Sequence, residues 1–211
     1  MRRSAEKTSF GGPAGQLEGL LESMRGSVPV ASAVICHPHP MHGGTMHNKV
    51  VHALARAFIG QGFSVLRFNF RGTGHSEGEY DQGRGELLDA LAAIRWMRER
   101  APDLPFWLAG FSFGAAIAIR ASLETEPEGL ISVAPAVSPF ADNTDSKPDC
   151  PWLIIHGDQD EVVDIDEIVA WVNKLEPGPE LTVFPDTKHF FHGKLVLLRQ
   201  TVETFVRENR I

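Results

Sequence analysis

A serine between two glycines lies near the middle of the chain, in the run Gly110-Phe111-Ser112-Phe113-Gly114. This spacing is typical of a strained turn between a strand and a helix that lifts the serine hydroxyl clear of a sheet. Residues 106–109 before it are apolar and strand-like, and residues 113–123 after it are small and compatible with a helix. Without that context the five residues would predict only a turn. With it, the pattern predicts a nucleophile at Ser112.

A serine hydroxyl needs a base to remove its proton, and the base needs an acid to hold its tautomer. Asp158, Asp160 and Asp164 follow a predicted strand downstream of Ser112 and compete for the role of the acid. Asp164 fits better as the N-cap of the helix that it begins. Asp160 lies further along the loop than Asp158 and is freer to reach a neighbour, so we predict Asp160 as the acid.

Two histidines compete for the role of the base. His189 follows the last predicted strand, whereas His192 is expected to begin the final helix and to be solvated or structural. We predict His189 as the base. The resulting chain order of serine, aspartate and histidine is a more specific signal than any one of the three residues.

The segments that must position these residues alternate between strand and helix after residue 30. A short edge strand before residue 11 and a second strand over 16–24 come first. Further strands are predicted at 30–36, 63–70, 106–109, 130–134, 152–156 and 180–184, and helices at 48–60, 85–100, 113–123, 164–175 and 191–209. The alternation predicts an α/β fold with a mostly parallel sheet of about seven to eight strands and helices on both faces. We see no linker that would divide it, so a single domain over residues 1–211 is expected.

Ligands of such sheets bind beyond the carboxyl ends of the strands. Five loops have that position in the predicted order, and they comprise residues 37–47, 71–79, 111–114, 157–163 and 186–189. Ser112, Asp160 and His189 each lie on one of them. The topology therefore predicts that the three side chains meet at one edge of the sheet.

The chain resembles the α/β-hydrolase family over nearly its whole length. In that family a His-Gly-x-x-Asp-x-x-Val stretch commonly supplies the acid, and the matching stretch at 156–163 singles out Asp160. Residues 71–76 are similar to the family's Arg-Gly-x-Gly-x-Ser loop. Residues 37–40, 43–46 and 48–51 together resemble small capless bacterial serine hydrolases related to dienelactone hydrolase. That enzyme has a cysteine nucleophile where Ser112 stands, so its particular substrate is not implied.

An oxyanion hole needs two backbone N–H groups directed at the developing charge. One is normally on the residue after the nucleophile, here Phe113. The other should come from the loop after the strand at 30–36, in which Pro38 and Pro40 have no N–H to donate. In the resembling family the corresponding loop donates near His39, and we predict His39, with Met41 as the alternative.

Composition excludes several classes of partner. Hydrophobic residues make up 43% of the 211 residues, which allows a substantial core, and the formal net charge is −7. An acidic chain without a basic run argues against binding to nucleic acid or to an anionic membrane surface. Two cysteines are too few for a disulfide framework, and the first residues lack the apolar segment of a signal peptide. A cytoplasmic protein is expected.

Nine histidines, four of them within residues 37–47, make a metal site the main alternative for that loop. No carboxylate or cysteine stands at a familiar ligand spacing among them, and two prolines stiffen the loop. We therefore expect no metal there. The glycine-rich stretch at 72–78 lacks a nucleotide fingerprint, since Glu77 stands where a glycine is needed. No cofactor is expected.

These patterns together predict hydrolysis of a carboxylic ester or related acyl compound of small-molecule size through an acyl-enzyme. A thioesterase, a lactonase or a peptidase would use the same three residues, and a non-catalytic binding protein of the same fold would usually lose one of them. Residues 135–151 are too few for a helical cap domain. An open, shallow site for short acyl chains, or for acyl groups on larger molecules, is expected.

Overall fold

The computed structural model describes residues 3–137 and 147–210, and this part of the chain contains eight strands and five α-helices. The strands are Arg3–Gly12 (β1), Gly15–Met24 (β2), Ala31–Cys36 (β3), Phe63–Phe68 (β4), Phe106–Phe111 (β5), Gly129–Val133 (β6), Trp152–Gly157 (β7) and Glu180–Phe184 (β8). The helices are Lys49–Gly60 (α1), Arg84–Arg100 (α2), Phe113–Thr125 (α3), Ile165–Val172 (α4) and Leu195–Asn209 (α5).

All the strands form one sheet in the order β1-β2-β4-β3-β5-β6-β7-β8. The first two form an antiparallel hairpin at one edge, and β3 to β8 run parallel to one another. The central strands β3, β5, β6 and β7 are buried at every position, as expected when helices cover both faces. The predicted mostly parallel α/β sheet is confirmed.

The two faces of the sheet have separate hydrophobic cores. On one face, α1 and α5 pack through side chains such as Phe58 and Val202. On the other, α2, α3 and α4 pack through side chains such as Met97, Ile117 and Ile168. Strands β3 to β8 run parallel, so their carboxyl ends lie at the same edge of the sheet. The loops that follow β3, β4, β5, β7 and β8 are gathered at that edge.

Three predicted boundaries are wrong, each because a turn replaces the regular element. The strand predicted over 63–70 ends at Phe68, and the backbone N–H of Phe70 donates to the His37 ring instead of a strand. The helix predicted over 164–175 spans Ile165–Val172 and continues as tight turns. The final helix begins at Leu195 and not at 191, because Phe191 (φ 53°) and Gly193 (φ 74°) adopt left-handed conformations.

Part of the segment on which the prediction of no cap domain depends, residues 138–146, lies outside the described residues. Among the helices that are described, none is long and apolar enough to cross a bilayer.

Gly114, in the first turn of α3, allows that helix to approach the end of β3. A Cβ atom at this position would lie 2.3 Å from the carbonyl oxygen of His37 and 2.4 Å from that of Cys36, both of them backbone atoms. An alanine normally stabilises a helix relative to glycine. Here, however, Gly114→Ala is expected to lower the free energy of unfolding by about 3 kcal/mol, because the helix must move off the sheet.

Urea unfolding of the Gly114→Ala variant measures this cost. The matched control is Gly11→Ala, since a Cβ atom there meets nothing within 4 Å. Its unfolding free energy should stay within about 0.5 kcal/mol of the parent value. Equal stability of the two variants would show that the close approach of α3 is not needed.

Candidate active site

Ser112 lies at the junction of β5 and α3 in a conformation that few side-chain-bearing residues adopt, with φ 56° and ψ −120°. Such backbone strain persists only where the surroundings enforce it. Here the Ser112 N–H donates to the carbonyl of Val133 at 2.8 Å, and the carbonyl of Ser112 accepts from the N–H groups of Ala115 and Ala116 in the first turn of α3. The strained turn holds the hydroxyl at the edge of the sheet, with the residue 7% exposed.

The side chains of Ser112, His189 and Asp160 form one hydrogen-bonded chain. The Ser112 Oγ lies 3.0 Å from His189 Nε2, and His189 Nδ1 lies 2.7 Å from Asp160 Oδ2. A carboxylate can only accept, so Nδ1–H donates to Asp160 and Nε2 is left to accept the serine proton. These distances are those that proton transfer between a nucleophile and its base requires. The structure thus brings together the three residues on which the sequence prediction depends.

The carboxylate of Asp160 is held at both oxygens. Its Oδ1 accepts from the backbone N–H groups of Val162 and Val163, each at 2.9 Å, while Oδ2 faces His189. Burial by itself raises the pKa of Asp160, but the hydrogen bonds from His189 and from the two backbone groups outweigh it. The pKa of this carboxyl therefore lies below its usual value, and the group is ionised at neutral pH.

The other two aspartates of this region have structural contacts. The Asp158 carboxylate accepts from the backbone N–H of Thr187 at 3.2 Å, which ties the loop after β7 to the loop that carries His189. Asp164 caps α4 by accepting from the N–H of Asp166, as its sequence position indicates. His192 is exposed and lies before α5, so it does not begin the final helix.

The loop after β3 carries His39 beside the helix on which Ser112 stands. Its imidazole Nδ1 accepts from the backbone N–H of Met41 at 3.2 Å, and its Nε2 lies 3.1 Å from the Tyr80 hydroxyl. The Met41 N–H is thereby already engaged. Within the part of the chain that the structure describes, no hydrogen bond uses the backbone N–H of His39 as its donor. Phe113, whose ring lies 4.9 Å from the His39 ring, is the first residue of α3.

Tyr80 is a site residue that the sequence analysis missed. The loop assigned to this edge of the sheet ended at residue 79, one position short of it. Arg71, whose guanidinium makes two hydrogen bonds to Asp89 at 2.8 and 2.9 Å, fixes the start of this loop to α2. Glu77, further along, accepts from the backbone N–H of Gln16 at 2.6 Å. Two charged residues therefore fix this loop to neighbouring elements. Tyr80, which follows them in the chain, faces His39.

A cleft of about 480 Å³ opens in front of Ser112. One wall consists of planar or polar side chains and the facing wall of small aliphatic ones. Its lining residues are His39, His42, Tyr80, Gln82, Ser112, Phe113, Ala136, Val162, Val163 and Glu167. Among Phe111, Phe113, Phe190 and Phe191, only Phe113 lines this cleft. Phe111 and Phe191 are buried in the core, and Phe190 is partly exposed next to His189.

His37 connects the loops after β3 and β4 from a fully buried position. Its Nδ1–H donates to the Pro38 carbonyl at 2.6 Å, and its Nε2 accepts from the backbone N–H of Phe70 at 3.0 Å. Burial lowers the pKa of His37 from 6.5 to about 4, only partly offset by the hydrogen bond to Pro38. Within residues 3–137 and 147–210, no group of three or more histidine, cysteine, aspartate or glutamate side chains could hold a metal ion.

The buried neutral state of His37 makes the stability of the fold depend on pH. The unfolded chain binds a proton near pH 6.5 and the folded chain only near pH 4, so the stabilisation is complete above pH 6.5 and is lost as the pH falls toward 4. Between pH 7 and pH 4 the unfolding free energy should fall by about 3 kcal/mol from this residue. His37→Gln, which does not titrate, should remove that part of the pH dependence.

Urea unfolding of the parent and the variant across this pH range measures the effect. His47→Gln, which replaces an exposed histidine of the same loop, is the control and should leave the pH dependence unchanged. Parallel curves for the parent and His37→Gln would contradict the assignment.

Comparison with known proteins relates the chain to a described family and to solved folds. A family model described as "Serine aminopeptidase, S33" matches residues 33–146. The protein RP471 of Rickettsia prowazekii (strain Madrid E) is 37% identical over 201 residues, 88% of this chain and 82% of that protein.

Two solved structures are similar over almost their whole length. XC6422 from Xanthomonas campestris, described as an α/β serine hydrolase without lid, has a TM-score of 0.91 at 41% identity, over 97% of this chain and 94% of that one. An α/β serine hydrolase homologue from Coxiella burnetii has a TM-score of 0.89 at 44% identity, over 94% and 96% of the two chains. The prediction of a fold without a cap domain agrees with the Xanthomonas structure.

Proposed function

The chain belongs to the serine aminopeptidase family of the α/β-hydrolase superfamily, and from this we propose that it cleaves carboxylic esters or related acyl compounds through an acyl-enzyme. The observation that carries the proposal is the continuous hydrogen-bonded chain from Ser112 through His189 to Asp160. The Ser112 hydroxyl faces an acceptor nitrogen of His189, and the other nitrogen of that ring donates to the buried, ionised carboxylate of Asp160. These are the parts that a proton relay needs.

In the first half of the reaction, the Ser112 Oγ attacks the carbonyl carbon of the substrate while His189 Nε2 takes the hydroxyl proton. The Asp160 carboxylate, 2.7 Å from Nδ1, stabilises the imidazolium that forms. The bond from the carbonyl carbon to the leaving group then breaks, and Nε2–H gives its proton to the departing oxygen. In the second half a water molecule repeats the attack, which releases the acid and restores Ser112.

The developing oxyanion is held by the backbone N–H groups of Phe113 and His39. Phe113 begins α3, where the helix dipole favours negative charge. His39 is favoured over Met41 because the Met41 N–H already donates to the His39 ring. Removing one such donor typically costs about 10²–10³ in rate.

The walls of the cleft favour small acyl groups. Ala136, Val162 and Val163 offer an apolar surface on one side, and Val162 is 60% exposed at the rim. The cleft, of about 480 Å³, opens to solvent, so part of a bound substrate can extend outside it. The leaving group can therefore belong to a larger molecule.

A panel of acyl compounds tests this function. We expect turnover of p-nitrophenyl acetate and butyrate, with an initial burst of p-nitrophenol that approaches the enzyme concentration where deacylation is slower than acylation. Activity should fall for long acyl chains that exceed the cleft. A thioester, a lactone and a peptidyl p-nitroanilide of matched acyl groups form the other arms.

Two results would contradict the proposed function. Preferential cleavage of the anilide would identify a peptidase and overturn the assignment to esters. No turnover of any compound, together with no labelling by a fluorophosphonate, would identify a non-catalytic binding protein.

A further inference from the structure

A second histidine, His156, lies close to the carboxylate that His189 uses. It is the penultimate residue of strand β7, is fully buried, and lies four residues before Asp160 in the sequence. Its Nε2 lies 3.0 Å from the Val163 carbonyl and 3.5 Å from Asp160 Oδ2. The proposed reaction has no proton transfer for this side chain.

The contacts of His156 define its tautomer. A carbonyl oxygen can only accept, so Nε2 must carry the hydrogen and donate to Val163. Asp160 Oδ2 lies near the same nitrogen at 3.5 Å, but the hydrogen bond is the one to Val163. Nδ1 is then a bare acceptor, and it has no hydrogen-bond partner among the described residues. An unpartnered buried polar atom costs free energy, so an apolar side chain here would be cheaper unless the N–H has a use.

The bond to Val163 fixes the turn that carries the acid. Residues 160–163 close on themselves, because Asp160 Oδ1 accepts from the N–H groups of Val162 and Val163. The Nε2–H of His156 donates to the carbonyl of the same Val163, so the turn is held at its last residue as well as at Asp160. Val163 also lines the cleft, so the position of this turn sets one wall of the substrate site too.

We propose that His156 is a positioning residue for the proton relay: its Nε2–H anchors the Val163 carbonyl and with it the 160–163 turn, so that Asp160 Oδ2 is presented to His189 Nδ1. The inference rests on the proposed function, since it concerns the acid of that reaction. His156 acts through Asp160 and does not touch the substrate.

This role requires His156 to stay neutral. A protonated imidazole would form an ion pair with the same Oδ2 and would compete with the His189 imidazolium for it. The titratable groups that face His156 are Asp160 on its own loop, Asp164 at the start of α4 and His189 on the loop after β8. Burial lowers the pKa of His156 and outweighs the attraction of the two carboxylates, so the ring carries no charge at neutral pH.

Three substitutions separate the N–H from the bulk of the ring. His156→Gln places an amide N–H near the former Nε2, whereas the shorter His156→Asn reaches only the Nδ1 position, and His156→Leu has no donor. For the Gln variant we expect kcat within about threefold of the parent. For Asn and Leu we expect kcat to fall by about 10–100-fold with little change in KM, since small displacements of an orienting group have effects of that size.

The pH profile of kcat/KM provides a readout that a merely structural role would not change. In the Asn and Leu variants the acid limb should shift to lower pH, because the imidazolium of the relay loses a fixed counter-charge. The low-field proton resonance of the His189–Asp160 hydrogen bond should persist in the Gln variant and broaden or vanish in the other two. Thermal unfolding of all the variants shows whether each of them folds.

The possible results are distinguishable. Equal loss of activity in the Gln, Asn and Leu variants with an unshifted acid limb would overturn the role of His156 and leave the proposed function standing. Full activity in the Leu variant would do the same. Absence of turnover together with absence of fluorophosphonate labelling in the parent protein would overturn the proposed function, and this inference with it.

Discussion

Replacing Ser112 with alanine should lower kcat for p-nitrophenyl butyrate by about 10⁶-fold, the size of effect seen when a serine nucleophile of this kind is removed. The fold should persist, because among the described residues the hydroxyl of Ser112 has one side-chain partner, the His189 ring at 3.0 Å. Alanine also tolerates the strained φ of 56° no worse than serine does. The loss should therefore be confined to chemistry.

Covalent labelling checks the same prediction without turnover. A fluorophosphonate should add to the parent protein with a mass shift and should not add to Ser112→Ala. The matched control is Ser122→Ala in the same helix, whose hydroxyl only donates to the Ile119 carbonyl at 2.6 Å. That variant should be labelled at the parent rate. Labelling of Ser112→Ala would mean that another residue is the nucleophile.

Replacing Asp160 with asparagine should lower kcat by about 10⁴-fold, because the substitution reverses the tautomer of the base. Both backbone N–H groups at Oδ1 require an acceptor, so the amide oxygen of the asparagine takes that position. Its NH₂ group then faces His189 Nδ1 and donates to it. The imidazole must carry its hydrogen on Nε2, where it can no longer accept the proton of Ser112.

Asp158→Asn is the control for this substitution. The Asp158 carboxylate accepts one backbone N–H from Thr187, which an amide oxygen accepts equally well, so kcat should stay within about threefold of the parent. Steady-state kinetics of the two variants over a range of pH measures both effects. A large loss of activity in Asp158→Asn together with a mild effect of Asp160→Asn would show that Asp158, and not Asp160, is the acid.

The sequence was informative about the site because its signals are local. The glycines around Ser112 are needed for a turn that the chain makes within five residues. Likewise the apolar run before Asp160 indicates a strand by its own composition. Once strands and helices alternate, the geometry of a parallel sheet gathers the loops at one edge. The juxtaposition of Ser112, Asp160 and His189 followed from that rule and needed no knowledge of side-chain contacts.

Other features depend on contacts between distant parts of the chain. That the Met41 N–H is already taken follows from the orientation of the His39 ring, which Tyr80 fixes from a loop 41 residues away in sequence. No periodicity in the chain carries that information.

The sequence by itself thus determined the order of elements, the strained serine turn and the edge at which the reactive residues lie, because backbone periodicity and turn chemistry are encoded over a few neighbouring residues. Only the tertiary structure decided which oxygen of Asp160 faces the base, how His37 joins two loops, and where His156 meets the acid. These three features depend on how the loops of separate strands pack against one another, because each is defined by a single hydrogen bond between residues that are distant in sequence or lie on a folded loop.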